Sequence, residues 1–275
     1  MRASSQAKDQ ITEERLTAGG AAPSGGVRAL ERGLQIIKRF DVDHPTWRIA
    51  DLARAVNLHK ATARRLIKTL ETEGFLVANP DSGEYRLGSS LMPVAYLVRS
   101  HDQLIQVAQP HLNRLAAQTE ETVGLSAWTD QGLVQMTHVP TIHFFKPNLL
   151  IGNVSSTYGT THSKLYLAFG PEQRLSKLSF GERGQSLTLA EAAKVQEELQ
   201  RVRESGIAYD IQEQSKGVCA VGAALWDGTG EAFASIAVIV PAERFGPAEK
   251  EIITRLVREA AETISRELGF RGRLP

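Results

Sequence analysis

Apolar residues recur at helical spacing from position 27 to 40, where Leu30, Leu34, Ile37 and Phe40 form one stripe and predict an amphipathic helix. His44-Pro45-Thr46 then interrupts the chain, and the Thr46 hydroxyl is placed to cap the next helix. That helix, RIADLARAV over residues 48–56, ends at Asn57-Leu58. A third helix starts at His59 and runs to about Glu73. Its inward positions are Ala63, Leu66, Ile67 and Leu70, with Lys60, Thr62, Arg64, Arg65 and Lys68 on the outer surface or its edges. Gly74 is its C-terminal stop. A strand, a Pro80-Asp81-Ser82-Gly83 turn and a second strand over 84–87 follow with few spare residues. Two helices joined by a tight turn, the second basic and trailed by a hairpin, predict a winged helix-turn-helix that presents a helix to the DNA major groove.

Beyond the hairpin, SSLMPVAYLVRSH (residues 89–101) reads as an apolar linker helix whose apolar face suits a second subunit. Residues 104–119 form a further amphipathic helix. Strand-like runs occupy 122–128, 132–139, 218–225 and 232–240, with helices over 163–169, 189–205 and 247–268. Asp130-Gln131-Gly132 and Asp227-Gly228-Thr229-Gly230 read as hairpin turns. This is an α+β domain on an antiparallel sheet, not a doubly wound one. Residues 1–26 are polar, end in AGGAAPSGG and are expected to be a disordered tail. The expected division is a tail over 1–26, a winged helix-turn-helix over 27–88, a linker helix over 89–103 and a sensing domain over 104–275.

Charge sharpens this picture. Residues 27–100 carry 12 Lys/Arg against 8 Asp/Glu, whereas residues 101–275 carry 17 against 20. A basic module joined to a mildly acidic one points to nucleic acid for the first and another ligand for the second. The single cysteine, Cys219, excludes an internal disulfide and a multi-cysteine metal site and suits a reducing cytoplasm. No secretory h-region and no apolar run of membrane-spanning length is present, so a cytoplasmic protein without membrane contact is expected.

Several segments, in order, carry a resemblance. RALERGLQIIKRF, RIADLARAVNLHKATARRLIKTLETEGFL and YRLGSSL stand in the first half. GTTHSKLYLAF, SGIAYDIQEQSKGVCAVGAALWDGTGEAFASIAVIVPAERF and the closing amphipathic helix stand in the second. Together they resemble an IclR-type transcriptional regulator over roughly residues 27–268. The resemblance implies a homodimer or homotetramer with a winged helix-turn-helix and a GAF-like effector domain. Such proteins repress or activate catabolic operons in response to a small molecule. It implies no cofactor and no catalytic residue.

By analogy with winged-helix docking, His59, Lys60, Thr62 and Ala63 are expected to meet base edges, with Arg64 and Lys68 reaching bases or phosphates. Arg65 is assigned to phosphate by the resemblance, Arg86 of the wing to the flanking backbone, and Arg28 and Arg48 are lesser backbone candidates.

The resemblance also places an effector at the start of the helix near Thr161, where free amides and the helix dipole suit a carboxylate. Carried over by position, the site comprises Thr161 and His162, then Asp210, Val218 and Ala220 on one strand, and Ala237 and Ile239 on another. The version that takes two- and three-carbon keto acids has two serines at the positions of Ala237 and Ile239, and a cysteine at that of Ala220. Cys219 lies one residue earlier and by strand alternation faces the other way. These exchanges make the wall apolar, and Met136, Phe144, Phe145 and Trp128 lie in segments able to line the same cavity, with Tyr158 just upstream of the helix. The expected effector is an organic acid or phenol with an aromatic or otherwise apolar body.

Other chemistry is poorly supported. His138, His143 and His162 match no compact metal spacing, and no metal site is expected. The run Gly159-Thr160-Thr161-His162-Ser163-Lys164 lacks the second glycine of a phosphate loop, and no G-x-S-x-G elbow is present. The alternative to a DNA-binding regulator is a ligand-sensing module or enzyme that uses the winged helix for protein contacts. Salt-dependent, sequence-selective duplex binding separates the two.

Overall fold

The computed structural model describes residues 26–41, 44–129, 132–144, 147, 149–155, 158–170 and 189–275. The expected tail lies outside the described residues apart from Gly26, as do Phe145 and the first two residues of the Asp130-Gln131-Gly132 turn. The chain divides into two compact units, Met1–Leu91 and Met92–Pro275.

In the first unit, α1 (Arg28–Ile37), α2 (Ile49–Ala55) and α3 (Lys60–Thr72) enclose a core of Ile36, Leu52, Ala53, Ala63, Ile67 and Leu76. Strands β1 (Trp47–Arg48), β2 (Leu76–Ala78) and β3 (Glu84–Leu87) form an antiparallel sheet in the order β1-β3-β2. The two-residue β1 corrects the sequence reading. Trp47 and Arg48 pair with Tyr85 and Glu84, and Thr46 Oγ1 donates to Glu84 Oε2 at 3.1 Å. Thr46 therefore does not cap α2, because its hydroxyl is drawn to the wing.

The turn between α2 and α3 is built by Asn57, whose φ of 51° is left-handed. Leu58 N–H donates to Ala53 O at 2.8 Å and Asn57 N–H to Arg54 O at 3.1 Å, the paired bonds that satisfy the last carbonyls of a helix. Gly74, with φ 74°, ends α3 in the same way, Phe75 N–H donating to Leu70 O and Gly74 N–H to Glu71 O.

The second unit begins with α4 (Leu91–His101), which the division cuts after its first residue, and α5 (Gln103–Thr119). It continues through β4 (Thr122–Thr129), β5 (Gly132–Val139), β6 (Val154–Ser155), α6 (Thr161–Ala168), α7 (Leu189–Ser205), β7 (Ile207–Ile211), β8 (Val218–Trp226), β9 (Ala232–Pro241) and α8 (Pro247–Glu267). Among the described residues the strands form an antiparallel sheet in the order β6-β5-β4-β9-β8-β7. Leu112 of α5 and Ile253 and Val257 of α8 join Val123, Val221, Ile236 and Val238 in the core against one face. Leu165 of α6 and Leu199 of α7 join Leu133, Ala208 and Ala224 against the other. Two-sided burial explains why β8 and β9 read as nearly unbroken apolar runs.

Asp210 consequently lies on β7 opposite Ala220, and not on the strand that carries Val218 and Ala220. Strand β7 escaped the sequence reading because IAYDI is short and follows α7 through Gly206 alone.

Candidate DNA interface and effector site

His59 opens α3, its Nδ1 accepting the Ala61 amide at 3.4 Å while the ring stays exposed. Lys60, Arg64 and Lys68 then recur every four residues and share an exposed stripe. Lys68 Nζ lies 2.9 Å from Glu71 Oε2, and this hydrogen-bonded carboxylate raises the lysine pKa. Thr62 and Arg65 sit on the side toward α1 and line a cleft of about 740 Å³ with Leu30, Leu34 and Leu66. Arg65 nevertheless remains exposed, as does Arg86 of the wing, whose guanidinium donates to Leu87 O at 3.4 Å. Arg48 lies 3.7 Å from Glu84, which offsets part of its charge. Ala63 is a correction: it is fully buried with Ile36, Leu52 and Ile67, since the helical period puts it on the inward stripe, and it meets no base edge.

In the second unit, register and alternation assemble rows across the sheet face that looks to α6. One row joins Asp210, Ala220, Ile239 and Thr122. The next joins Ala208, Gly222, Ala237, Gly124 and His138. A third joins Ala224, Ser235, Ser126 and Gln135. Most of these side chains are small, which lets the helix start approach the sheet closely. Gly222 allows α6 to begin against the sheet, because a Cβ there would lie 2.9 Å from the Thr161 Cβ and 3.0 Å from Ile236 O. A Cβ on Gly124 would meet Gln135 Nε2 at 3.2 Å, ahead of Leu149 and Ile239 at 3.4 and 3.7 Å, so an amide and two apolar side chains border that spot.

Thr161, His162, Asp210, Val218, Ala220, Ala237 and Ile239 thus gather at this face and the start of α6. Two expected residues do not. Phe144 is fully exposed. Met136 packs against the α5–α8 core, on the opposite face, because a bulge between the Leu125–Thr137 and Ser126–Gln135 pairs leaves it out of register. Ser126, Gln135 and Ser235 were missed by sequence reasoning. Stepping back two residues from Ala237 would have found Ser235; the other two needed the strand register.

Polar groups here are closely partnered. His162 Nδ1 lies 2.8 Å from Ser235 Oγ, and the Trp128 indole N–H donates to that oxygen at 3.4 Å. Enclosure by protein pushes the His162 imidazole down to about 4, so it is neutral at physiological pH. Asp210 Oδ1 accepts from the Glu213 and Gln214 amides at 2.9 and 3.4 Å, which makes it the organiser of the turn after β7; burial raises its pKa.

Behind the helix start, Lys164 is fully buried. Its Nζ donates to Glu198 Oε1 at 2.5 Å, Tyr209 O at 2.7 Å and both Glu213 oxygens at 2.7 and 2.8 Å. Tyr158 donates to Glu198 Oε2 at 2.6 Å, and burial pushes its phenol up. One ammonium thus ties α6 to α7 and to the segment after β7. Among the described residues, no group of three or more His, Cys, Asp or Glu is disposed to hold a metal ion, and no helix is long and apolar enough to cross a membrane.

Comparison with known proteins matches residues 29–80 to the IclR helix-turn-helix domain and residues 95–266 to the bacterial transcriptional regulator IclR C-terminal domain. The DNA-binding transcriptional repressor YiaJ of Escherichia coli is 28% identical over 251 residues, covering 89% of each chain. The glycerol operon regulatory protein of Streptomyces griseus is 29% identical over 253 residues, covering 88% of this chain and 97% of that one. An IclR homolog from Microbacterium hydrocarbonoxydans, crystallised with 4-hydroxybenzoate, superimposes with a TM-score of 0.68 at 22% identity, covering 87% of this chain and 98% of that one.

Proposed function

We propose, for a chain that belongs to the IclR family of bacterial transcriptional regulators, a ligand class and a route to DNA. The family is one of DNA-binding regulators, not enzymes. In this reading the chain works as a homodimer or homotetramer on the operator of a catabolic operon. Lys60, Arg64 and Lys68 of α3 face the duplex, His59 stands at the helix start, and Arg65 and Arg86 supply phosphate contacts.

The effector is a small organic acid with an aromatic or apolar body. The observation that carries this reading is the run of Ala220, Gly222, Ala237 and Gly124, small and next to the apolar Ile239, set beside the start of α6. A flat apolar body fits against such a floor, while the first amides of α6 suit its acidic end. The Microbacterium neighbour with its 4-hydroxybenzoate supports the same class.

A thermal-shift panel on the whole chain tests it, comparing benzoate, 4-hydroxybenzoate and phenol with pyruvate and glyoxylate. A ligand at 100 times its dissociation constant adds about 2.7 kcal/mol. Stabilisation by the aromatic set alone is expected; stabilisation by glyoxylate or pyruvate alone overturns the assignment.

A further inference from the structure

We infer that His162 presents its Nε2–H to an oxygen of the effector, and that Ser235, held in turn by Trp128, fixes the imidazole in the tautomer that makes this donor. The inference rests on the ligand reading above and adds the atom that recognises the ligand.

Ser235 is fully buried, and its Oγ has two hydrogen-bond neighbours, His162 Nδ1 and Trp128 Nε1. An indole nitrogen can only donate, so Ser235 accepts from Trp128. If His162 also donated through Nδ1, the serine proton would remain in the core with no acceptor among the described residues, which buried hydroxyls avoid. The arrangement that satisfies all three groups has the indole donating to Ser235 Oγ and the hydroxyl donating to His162 Nδ1. Nδ1 is then unprotonated, and the ring proton of the neutral imidazole sits on Nε2.

That Nε2 has no hydrogen-bond partner among the described residues. The side-chain nitrogen that is both buried and unpartnered there is Nδ1 of His138, so Nε2 of His162, in a ring otherwise enclosed by protein, keeps some exposed surface. His138 itself stands opposite Gly124, in the row next to Ser235 on the same sheet face. Two imidazoles with an unpaired nitrogen thus flank a floor of small apolar residues. The fixed Nε2–H of His162 calls for an oxygen acceptor, either a carboxylate or a phenol oxygen. Because His162 is held neutral, with its pKa lowered to about 4, its hydrogen bond is dipolar and does not depend on a charged ring near pH 7.

The test uses the full-length chain labelled with ¹⁵N-histidine, with the His162 signals identified by their loss in His162→Gln. Long-range ¹H–¹⁵N correlations should show Nδ1 unprotonated and Nε2 protonated, and Ser235→Ala should relax this preference. Added benzoate or phenol should move the Nε2 signal more than Nδ1, and whichever of the two does so identifies the oxygen recognised. By calorimetry, His162→Leu should weaken binding of that probe about tenfold or more, while His162→Gln, which keeps a donor, loses less. A protonated Nδ1 in the wild type, or probe binding that leaves Nε2 unmoved, overturns the donor role while the ligand reading survives. If neither probe gives heat, the ligand reading itself fails and the donor role with it.

Discussion

His162 also makes the effector domain sensitive to acid. Its folded pKa of about 4 lies below the ordinary 6.5, so the unfolded chain binds the proton more readily. The stability it contributes is complete above about pH 6.5 and is lost as pH falls toward 4. Urea midpoints of the wild type should therefore drop between pH 7.5 and 5, and His162→Gln should flatten that part of the profile. An equal drop in the variant would mean that other groups govern it. Lys164 makes a sharper case. Replacing it by Met leaves Glu198 and Glu213 facing each other without their cation, and removal of one partner from a buried pair costs about 3 kcal/mol. The carboxylates are partly exposed, which holds the figure at the low end of that class. Urea unfolding of Lys164→Met measures it; a loss below about 0.5 kcal/mol would show the cluster to be solvated. Neither role was legible from sequence. A histidine or lysine inside a helical pattern looks alike whether it faces water or a serine, and the answer lies in strands more than 40 residues away. Ala63 failed differently: the periodicity already placed it inward, and only the docking analogy drew it to DNA.

At the scale of elements, the helix-turn-helix was legible because each boundary has a local chemical cause. Asn57 and Gly74 adopt left-handed conformations that few residues tolerate, and both terminate their helices with paired backbone bonds. Asn57→Ala should destabilise the chain by about 1 kcal/mol, whereas Asn57→Gly should hold stability near the wild type. Thermal melts of the two variants check this, and equal melting of both would remove the conformational argument. Strands β1, β6 and β7 were not legible. Two of them are two residues long, below the length at which alternation is a signal, and all three exist through the neighbour they pair with. The bulge that turns Met136 away from α6 belongs to the same class, since it is a property of a pair of strands.

Across the whole molecule, charge and chemistry separate along the chain. The basic stripe Lys60–Arg64–Lys68 lies in the first unit, and the apolar, imidazole-flanked face lies in the second. The proposed regulation requires that ligand binding in the second change the affinity of the first for DNA, a coupling usually worth fivefold or more. The order of segments suggested a DNA-binding part and a sensing part, and the apolar ligand was expected from Ala220, Ala237 and Ile239, whereas the places of Ser126 and Gln135 needed the strand register. The most direct test follows the fluorescence anisotropy of a labelled duplex taken from the DNA upstream of the chain's own coding region. The full-length protein is titrated with and without 4-hydroxybenzoate, benzoate or glyoxylate. Binding should weaken with rising salt, and an aromatic acid should shift the affinity about fivefold or more, in either direction, while glyoxylate leaves it unchanged. An affinity that responds to glyoxylate alone, or to none of the three, would contradict the proposed regulation.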